Sequence, residues 1–522
     1  MDNLKPSQLV FQSVFTRRCI IASYWLVVLL ALPLWWTTTS IDRLSLPASR
    51  VVAQQSRELV FPVDVQLDLS AFDKNVNSTA LKQGVQQLLR ELDVQQSGGL
   101  CIHINPEKHS DGAYQVVLRH GNEDPTVEGR RLLYEIPETM SSLAAMQLAD
   151  TLATLLVPYT TLRSPRHEAE HIVKYSPRYR LAFTLLNQDA ATGIGALSWD
   201  VRESISKHIA PTLEKLSLLH NFTVESQIQF HAPLAFRPRS VLVDDKEEFA
   251  LTQEDLTVFI NSAEWTLSSS VSNDPVLHLI LFIPSATSTP LHILSRDGSI
   301  SASNAFILPQ WGGIVIMNLP SSTPGPSHLP ASTLDSVFAI FRYQLTTLLG
   351  VPPLPAHIHC NDSETFSDWQ LDALLRRRAV ENEKGSKETL KSIISLVAQI
   401  ENMPVGQDVK GDVQGAISAL DEMYSAAAAA SSSALALSYS SKAFTLASRA
   451  FFNPGMLALL YFPAEHKYAV YTPLFASVAA PLVAALVREF MAWKRSRKAS
   501  ADESGSSRAV NDSESADMKR VE

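Results

Sequence analysis

The chain reads as an α/β protein: a large region of mixed sheets covered by helices, then a helical C-terminal section, flanked by two transmembrane helices. Three observations predict this. Two uncharged apolar runs stand near the ends of the 522 residues, Cys19 to Thr39 and Ala469 to Val487, each about the 20 residues that a helix needs to cross a bilayer. Between them, as far as Gly350, short stretches that alternate apolar and polar residues interleave with stretches whose apolar residues recur at helical spacing, the pattern of layered sheets and helices. Beyond Gly350 the strand pattern stops and long helical stretches follow.

The N-terminal segment 1–18 carries Lys5, Arg17 and Arg18 before the first span, 19–39. Arg488, Lys494, Arg495, Arg497 and Lys498 follow the second, 468–487. Basic flanks stay on the cytoplasmic side, so both termini are expected in the cytosol and residues 40–467 on the far side of the membrane. The first run exceeds the roughly 7–15 apolar residues of a cleaved signal and lacks a small-x-small cleavage site, which favours a signal anchor. Trp25, Trp35 and Trp36 suit its interfaces. The second run is followed by a charged tail, 488–522, expected to be disordered, so it does not read as a lipid-anchor signal. Neither span has an ionisable residue in its middle, which disfavours a proton or ion pathway.

In the α/β region, 40–350, Val63, Val65, Leu67 and Leu69 alternate as in a half-buried strand, and Leu81, Val85, Leu88, Leu89 and Leu92 share one helical face. Strands are expected at 114–119 and 131–136, then a helix over 139–156. A second round follows, with a strand at 179–186, a helix over 199–219 and a strand over 221–230. Further strands are expected at 276–283, 291–294 and 313–318. In Trp311-Gly312-Gly313 the paired glycines would let another element approach closely before a buried strand begins. The region 351–467 opens with a proline-rich joint and is expected to hold helices over 366–401 and 413–440. The alanine run 426–430 is a strong helix former. Phe451–Pro463 is apolar but too short to span, and is expected to lie on the membrane interface or against a partner.

The net charge of −9 argues against a nucleic-acid surface, which would need a clustered basic stripe. Of three cysteines Cys19 lies at the membrane edge, leaving Cys101 and Cys360 as the candidate disulfide. Asn77, Asn221 and Asn361 head glycosylation sequons on the non-cytosolic side, whereas Asn511 heads one in the cytosolic tail.

His167-Glu168-Ala169-Glu170-His171 matches the pattern that places two imidazoles and a carboxylate on one helix face for zinc. Pro165 and Pro177 bracket a short segment with charged flanks, which favours a solvated loop or short helix, and His167 and His171 stand as weak metal candidates. Cys101 and His103 would share a strand face, a spacing met more often in packing than in nucleophilic catalysis. The chain has no Gly-x-Ser-x-Gly elbow and no phosphate-binding Gly-Lys-Ser/Thr loop, so no residue is assigned a catalytic or cofactor-binding role.

Four stretches occur in an ordered set: Tyr175-Ser-Pro-Arg-Tyr-Arg-Leu-Ala-Phe-Thr-Leu-Leu-Asn187, Asn221-Phe-Thr-Val-Glu-Ser-Gln-Ile228, Ser303-Asn-Ala-Phe306 with Trp311-Gly-Gly-Ile314, and Leu457-Ala-Leu-Leu-Tyr-Phe-Pro463. With them the chain, from Arg17 to Lys498, resembles the PIG-S family, subunits of the glycosylphosphatidylinositol (GPI) transamidase of the endoplasmic reticulum. The resemblance implies a non-catalytic subunit without a cofactor, assembled with PIG-K, PIG-T, PIG-U and GPI-attachment-factor subunits, in contact with membrane lipid and with the proprotein or GPI as further candidate contacts. The His167–His171 motif is not part of that family's pattern. The competing reading is a membrane-anchored luminal zinc hydrolase using His167, Glu168 and His171.

Overall fold

The structure, a computed structural model, describes residues 13–39, 43–71, 78–91, 99–104, 112–136, 142–158, 172–243, 246–267, 273–320, 327–360, 365–400, 403–429, 433–457, 469–473, 475–477, 479–495 and 497–498. It is a mixed α/β architecture with a helical C-terminal section and an apolar helix near each end. Two compact units are present, one formed by 1–47, 392–412 and 449–522, the other by 48–391 and 413–448. All four sheets, among them the two-stranded pair of β7 (Ala196–Trp199) and β15 (Ser327–Leu329), and much of the helical section belong to the second unit, so the change of composition at Gly350 is not a boundary of packing.

The first sheet has six strands. They are β1 (Phe61–Asp68), β2 (Leu100–Ile104), β3 (Tyr114–His120), β4 (Thr126–Glu128), β5 (Arg131–Ile136) and, from far along the chain, β16 (His359–Cys360). The order is β16-β4-β5-β3-β1-β2, with β1, β2, β3 and β5 parallel to their neighbours in that run and β4 antiparallel to β5. On β1, Phe61, Val63, Val65 and Leu67 are buried while Pro62, Asp64 and Gln66 are half-buried. The alternation leaves one face for helices and one less covered. Helix α3 (Ser78–Glu91) buries Leu81, Val85 and Leu89, and packs beside α4 (Ser142–Leu156), which buries Leu148, Leu152 and Leu155. Gln86 of α3 reaches the outer edge of β2, donating to the Ile102 carbonyl at 2.9 Å and accepting from the Ile104 N–H at 3.2 Å. A side-chain amide thus occupies an edge that a foreign strand could otherwise pair with.

The second sheet runs β13-β14-β11-β6-β8, from β6 (Arg178–Asn187), β8 (Asn221–Gln229), β11 (Val276–Ile283), β13 (Ala305–Leu308) and β14 (Gly312–Ile316). Only β13 is antiparallel to its neighbour. Its central strands are buried almost end to end, which explains their unbroken apolar runs. A Cβ on Gly312 would fall 2.0 Å from the His278 carbonyl oxygen, and one on Gly313 2.1 Å from Gln344 Oε1. The paired glycines therefore serve the close approach expected of them. One face is covered by the helix Ala331–Leu349, whose Phe338 stacks on Phe183 at 5.7 Å. That helix was not anticipated, although Leu334, Val337, Phe338, Phe341, Leu345 and Leu348 lie at helical spacing and are all buried. The other face meets a cluster around Phe259, Trp265 and Phe282, together with a small three-stranded sheet of β9 (Arg239–Val243), β10 (Lys246–Leu251) and β12 (Leu291–Ile293).

The helix expected over 199–219 is interrupted. Val201–Ser204 passes through one π turn, Ile205–Ile209, into Ala210–Leu216, and the Ala210 N–H bonds to the Ile205 carbonyl. Pro211 lacks the N–H that would bond four residues back, so the ladder slips there. The stretch expected as one helix over 413–440 is two, Gln407–Ala428 and Ser433–Phe451, which follow the long helix Asp368–Gln399. Small residues let these helices approach: Gly385 faces Phe444, Gly415 faces Leu446, and Ala416, Ala426, Ala427, Ala443 and Ala447 are buried. Of the alanine run, 426–428 are helical, with Ala426 and Ala427 buried and Ala428 exposed.

Candidate functional site

The helix Asp368–Gln399, named α9 from its place in the chain, starts from a capping pair. Gln370 Oε1 accepts from the Ser367 N–H and hydroxyl at 2.9 and 3.2 Å, and Gln370 Nε2 donates to the Pro352 carbonyl at 2.7 Å. This fixes the register that carries Asp372, Arg376 and Arg378 into the interior, where all three are buried.

Asp372 accepts from the Tyr114 hydroxyl at 2.8 Å and, in a two-point pair, from Nε and Nη2 along one edge of the Arg130 guanidinium at 2.9 and 3.1 Å. Arg376 donates to Tyr114 Oη at 3.0 Å and to the Leu156 carbonyl at 3.2 Å. Arg378 donates to the Val173 and Leu349 carbonyls, each at 3.0 Å, and to Glu381 at 2.8 Å. Leu156 closes α4 and Leu349 closes the helix over the second sheet. Each guanidinium thus sits on the carbonyl end of a helix, where a cation meets both an orphan acceptor and the negative pole. Burial holds the Tyr114 hydroxyl above its ordinary range despite Arg376, so it stays a neutral donor. Burial likewise pushes the Tyr179 hydroxyl up to about 12. It pushes the His220 imidazole down to about 4, with Arg378 adding to the effect and the Ser176 carbonyl opposing it. A second junction joins Ala48–Gln55 and the residues after it to Gln407–Ala428: Arg50, Gln54 and Arg57 all bond to Asp421, and Arg57 lies 4.0 Å over the Tyr424 ring. Chemically these groups hold elements together: Asp372, Arg376, Arg378 and Asp421 each bond to partners from other elements of the fold.

Among the described residues, two lines of side chains have the composition of nucleophilic sites. Ser198 Oγ lies 2.8 Å from His328 Nδ1, whose Nε2 is 3.2 Å from Asp200. Asp200 also accepts from the Ala331 N–H at the start of the covering helix, and all three side chains stand on open surface, which suits a cap better than acyl transfer. Cys101 Sγ lies 3.5 Å from His103 Nε2, and His103 Nδ1 lies 3.4 Å from Asp64. Sequence spacing identifies the first two; Asp64 joins through the register of β1 on β2, which no local spacing reveals.

His167, Glu168 and His171 lie outside the described residues, as do Asn77 and Asn361. Among the described residues no group of three or more His, Cys, Asp or Glu side chains is arranged to hold a metal. Asn221 opens the edge strand β8 with its side chain exposed. The candidate disulfide is corrected: Cys101 and Cys360 are thiols on the two opposite edge strands of the first sheet. Five strand spacings of about 4.8 Å separate those edges, far beyond the reach of a disulfide. Of the apolar segment 451–463, Met456 is buried within the chain and Phe452 is exposed, while 458–463 lie outside the described residues.

A family model described as PIG-S, phosphatidylinositol-glycan biosynthesis class S protein, matches residues 22–496. The chain is 31% identical to the GPI-anchor transamidase component PIGS of Rattus norvegicus, across 90% of this chain and 95% of that protein. It is 30% identical to the protein of that name in Homo sapiens, across 90% and 94%. With the GPI transamidase component PIG-S homolog of Schizosaccharomyces pombe it shares 28% identity, across 92% and 85%.

Proposed function

The chain belongs to the PIG-S family, and from that premise we propose that it is a non-catalytic subunit of the GPI transamidase in the endoplasmic reticulum membrane, supporting attachment of GPI anchors to proproteins. In this reading the residues that cut the proprotein and join it to GPI lie in another chain, and the partners are the PIG-K, PIG-T, PIG-U and GPI-attachment-factor subunits. The observation that carries it is the α9 junction. The buried charges of Asp372, Arg376 and Arg378 are spent on helix ends, on Tyr114 and on partners of opposite charge, as in a body whose role depends on holding shape.

The topology has its own support. Helices with apolar windows at Phe15–Leu34 and Ala469–Arg495 are long enough to cross a membrane. Arg17 and Arg18, before the first apolar run, pair with Glu489, after the second, at 2.7 and 2.6 Å. That pairing suits two spans whose outer ends share one side, with both termini cytosolic by the positive-inside rule and residues 40–467 luminal. Asn77, Asn221 and Asn361 are then the candidate glycosylation sites. Purification of the tagged chain from membranes, with the co-purifying chains identified by mass spectrometry, tests the assignment. Recovery of the transamidase subunits is expected; a chain that purifies alone from mild detergent would overturn it.

A further inference from the structure

Cys101 and His103 project from the same face of β2, opposite to buried Leu100 and Ile102. In the parallel register Cys101 stands beside Pro62 and His103 beside Asp64, so the three polar groups form one line across two strands. Cys101 is half-buried, His103 is half-exposed and the Asp64 side chain is 15% exposed. Asp64 Oδ1, 3.4 Å from Nδ1, favours the tautomer with the proton on Nδ1, which leaves Nε2 with its lone pair towards the thiol. The other charged or titratable groups on this face, among the described strands, are Asp68 of β1, Arg119 of β3, Arg131 and Glu135 of β5, Glu128 of β4 and His359 of β16; Asp68 is tied to Ser70, and those of β5, β4 and β16 lie two or more strands away from β1. Across the sheet α3 contributes the neutral Gln86 amide to this strand.

We propose that Cys101 is a reactive thiol, with His103 as its proton acceptor and Asp64 as the residue positioning the imidazole, suited to thiol–disulfide exchange with a disulfide brought from outside the chain. The Cys101 proton passes to His103 Nε2 and the sulfur attacks one sulfur of the incoming disulfide. A bond forms between them as the disulfide bond breaks, and the departing sulfur leaves as a thiolate that takes the proton from the imidazolium. This chemistry needs an accessible sulfur and a base rather than a closed pocket or an oxyanion site. Cys360 cannot intercept the sulfur, since it lies on the opposite edge of the sheet. A thiol without an intrachain partner is a candidate for intermolecular pairing. That the compartment is oxidising rests on the topology proposed above; the reactivity itself does not.

The full chain, purified in detergent with Cys19→Ser, is treated with glutathione disulfide over a pH series, and modification at Cys101 and Cys360 is followed by peptide mapping. At about pH 6.5, where an ordinary thiol is almost wholly protonated, Cys101 is expected to react faster in the native chain than in the urea-unfolded chain, despite its partial burial. His103→Gln should slow it roughly tenfold to a hundredfold, with Asp64→Asn in between. Reaction at Cys360 should be unchanged in both variants. A native Cys101 slower than the unfolded one, or a rate that His103→Gln leaves in place, would overturn the proposal. Membranes quenched with N-ethylmaleimide then give the source: a glutathione adduct on the Cys101 peptide indicates a small disulfide, and a cross-link to another chain's peptide indicates a protein one.

Discussion

Asp372 is the residue on which most depends, because its carboxylate takes donors from β3, from the turn before β5 and, through Tyr114, from α9 again. Asp372→Ala leaves the buried Tyr114 hydroxyl and the Arg130 guanidinium without their acceptor, and stripping the partner from a buried polar group costs about 1–3 kcal/mol, more where a charge is involved. The expected result is a large fall in the melting temperature of the purified chain, with Asp372→Asn less severe. Arg378→Lys should also fail to restore stability, since one ammonium cannot reproduce a fork that reaches two carbonyls and Glu381. His278, stacked on Trp311 at 4.4 Å, is pushed down to about 4 by burial, with Arg180 adding to it; His220 is pushed to the same value. The unfolded chain therefore takes up these protons first. Stability from both groups is complete above about 6.5, falls as pH drops through that value and levels off near 4, on the order of 2–3 kcal/mol per group. Melting curves between pH 7 and pH 4 check this, and His278→Phe should remove its share of the slope without unfolding the chain at neutral pH. None of these partners was legible from spacing, because Tyr114 and Asp372 meet across 258 positions of sequence.

At the scale of elements the glycine pair gives the sharpest expectation. Gly312→Ala drives a Cβ into the His278 backbone, which cannot step aside, whereas Gly313→Ala meets the end of the Gln344 side chain. Overpacking of this kind costs about 1–3 kcal/mol, and Gly312→Ala should be the worse of the two in denaturant unfolding. Gln344 softens the second clash at the expense of its bonds to the Phe306 and Ile314 carbonyls. Eight of the sixteen described strands and several of the helices could be read from period alone, as at Val63, Val65 and Leu67 or at Leu81, Val85 and Leu89, because each buries one face, whereas short strands such as 100–104, 126–128 and 305–308 carry too little of a pattern. The π turn escaped such reading since it keeps helical periodicity and only Pro211 betrays it. The break between Gln407–Ala428 and Ser433–Phe451 escaped because serine and alanine carry little face information. β16 escaped because two residues make no pattern.

For the whole molecule the proposed topology predicts that tags at both termini are digested in sealed microsomes, and that Asn221→Gln raises mobility by one glycan. A shielded tag would contradict it. The central claim is that this chain assembles and does not react with the proprotein, and it is tested most directly by surface display of a GPI-anchored reporter in cells whose only copy carries a defined change. Ser198→Ala, His328→Ala and His171→Ala should each leave display and complex recovery near the parent level, while Asp372→Ala should lose the complex and the display together. A hundredfold or greater loss of display from any of the first three, with the complex fully assembled, would contradict the account and place chemistry in this chain.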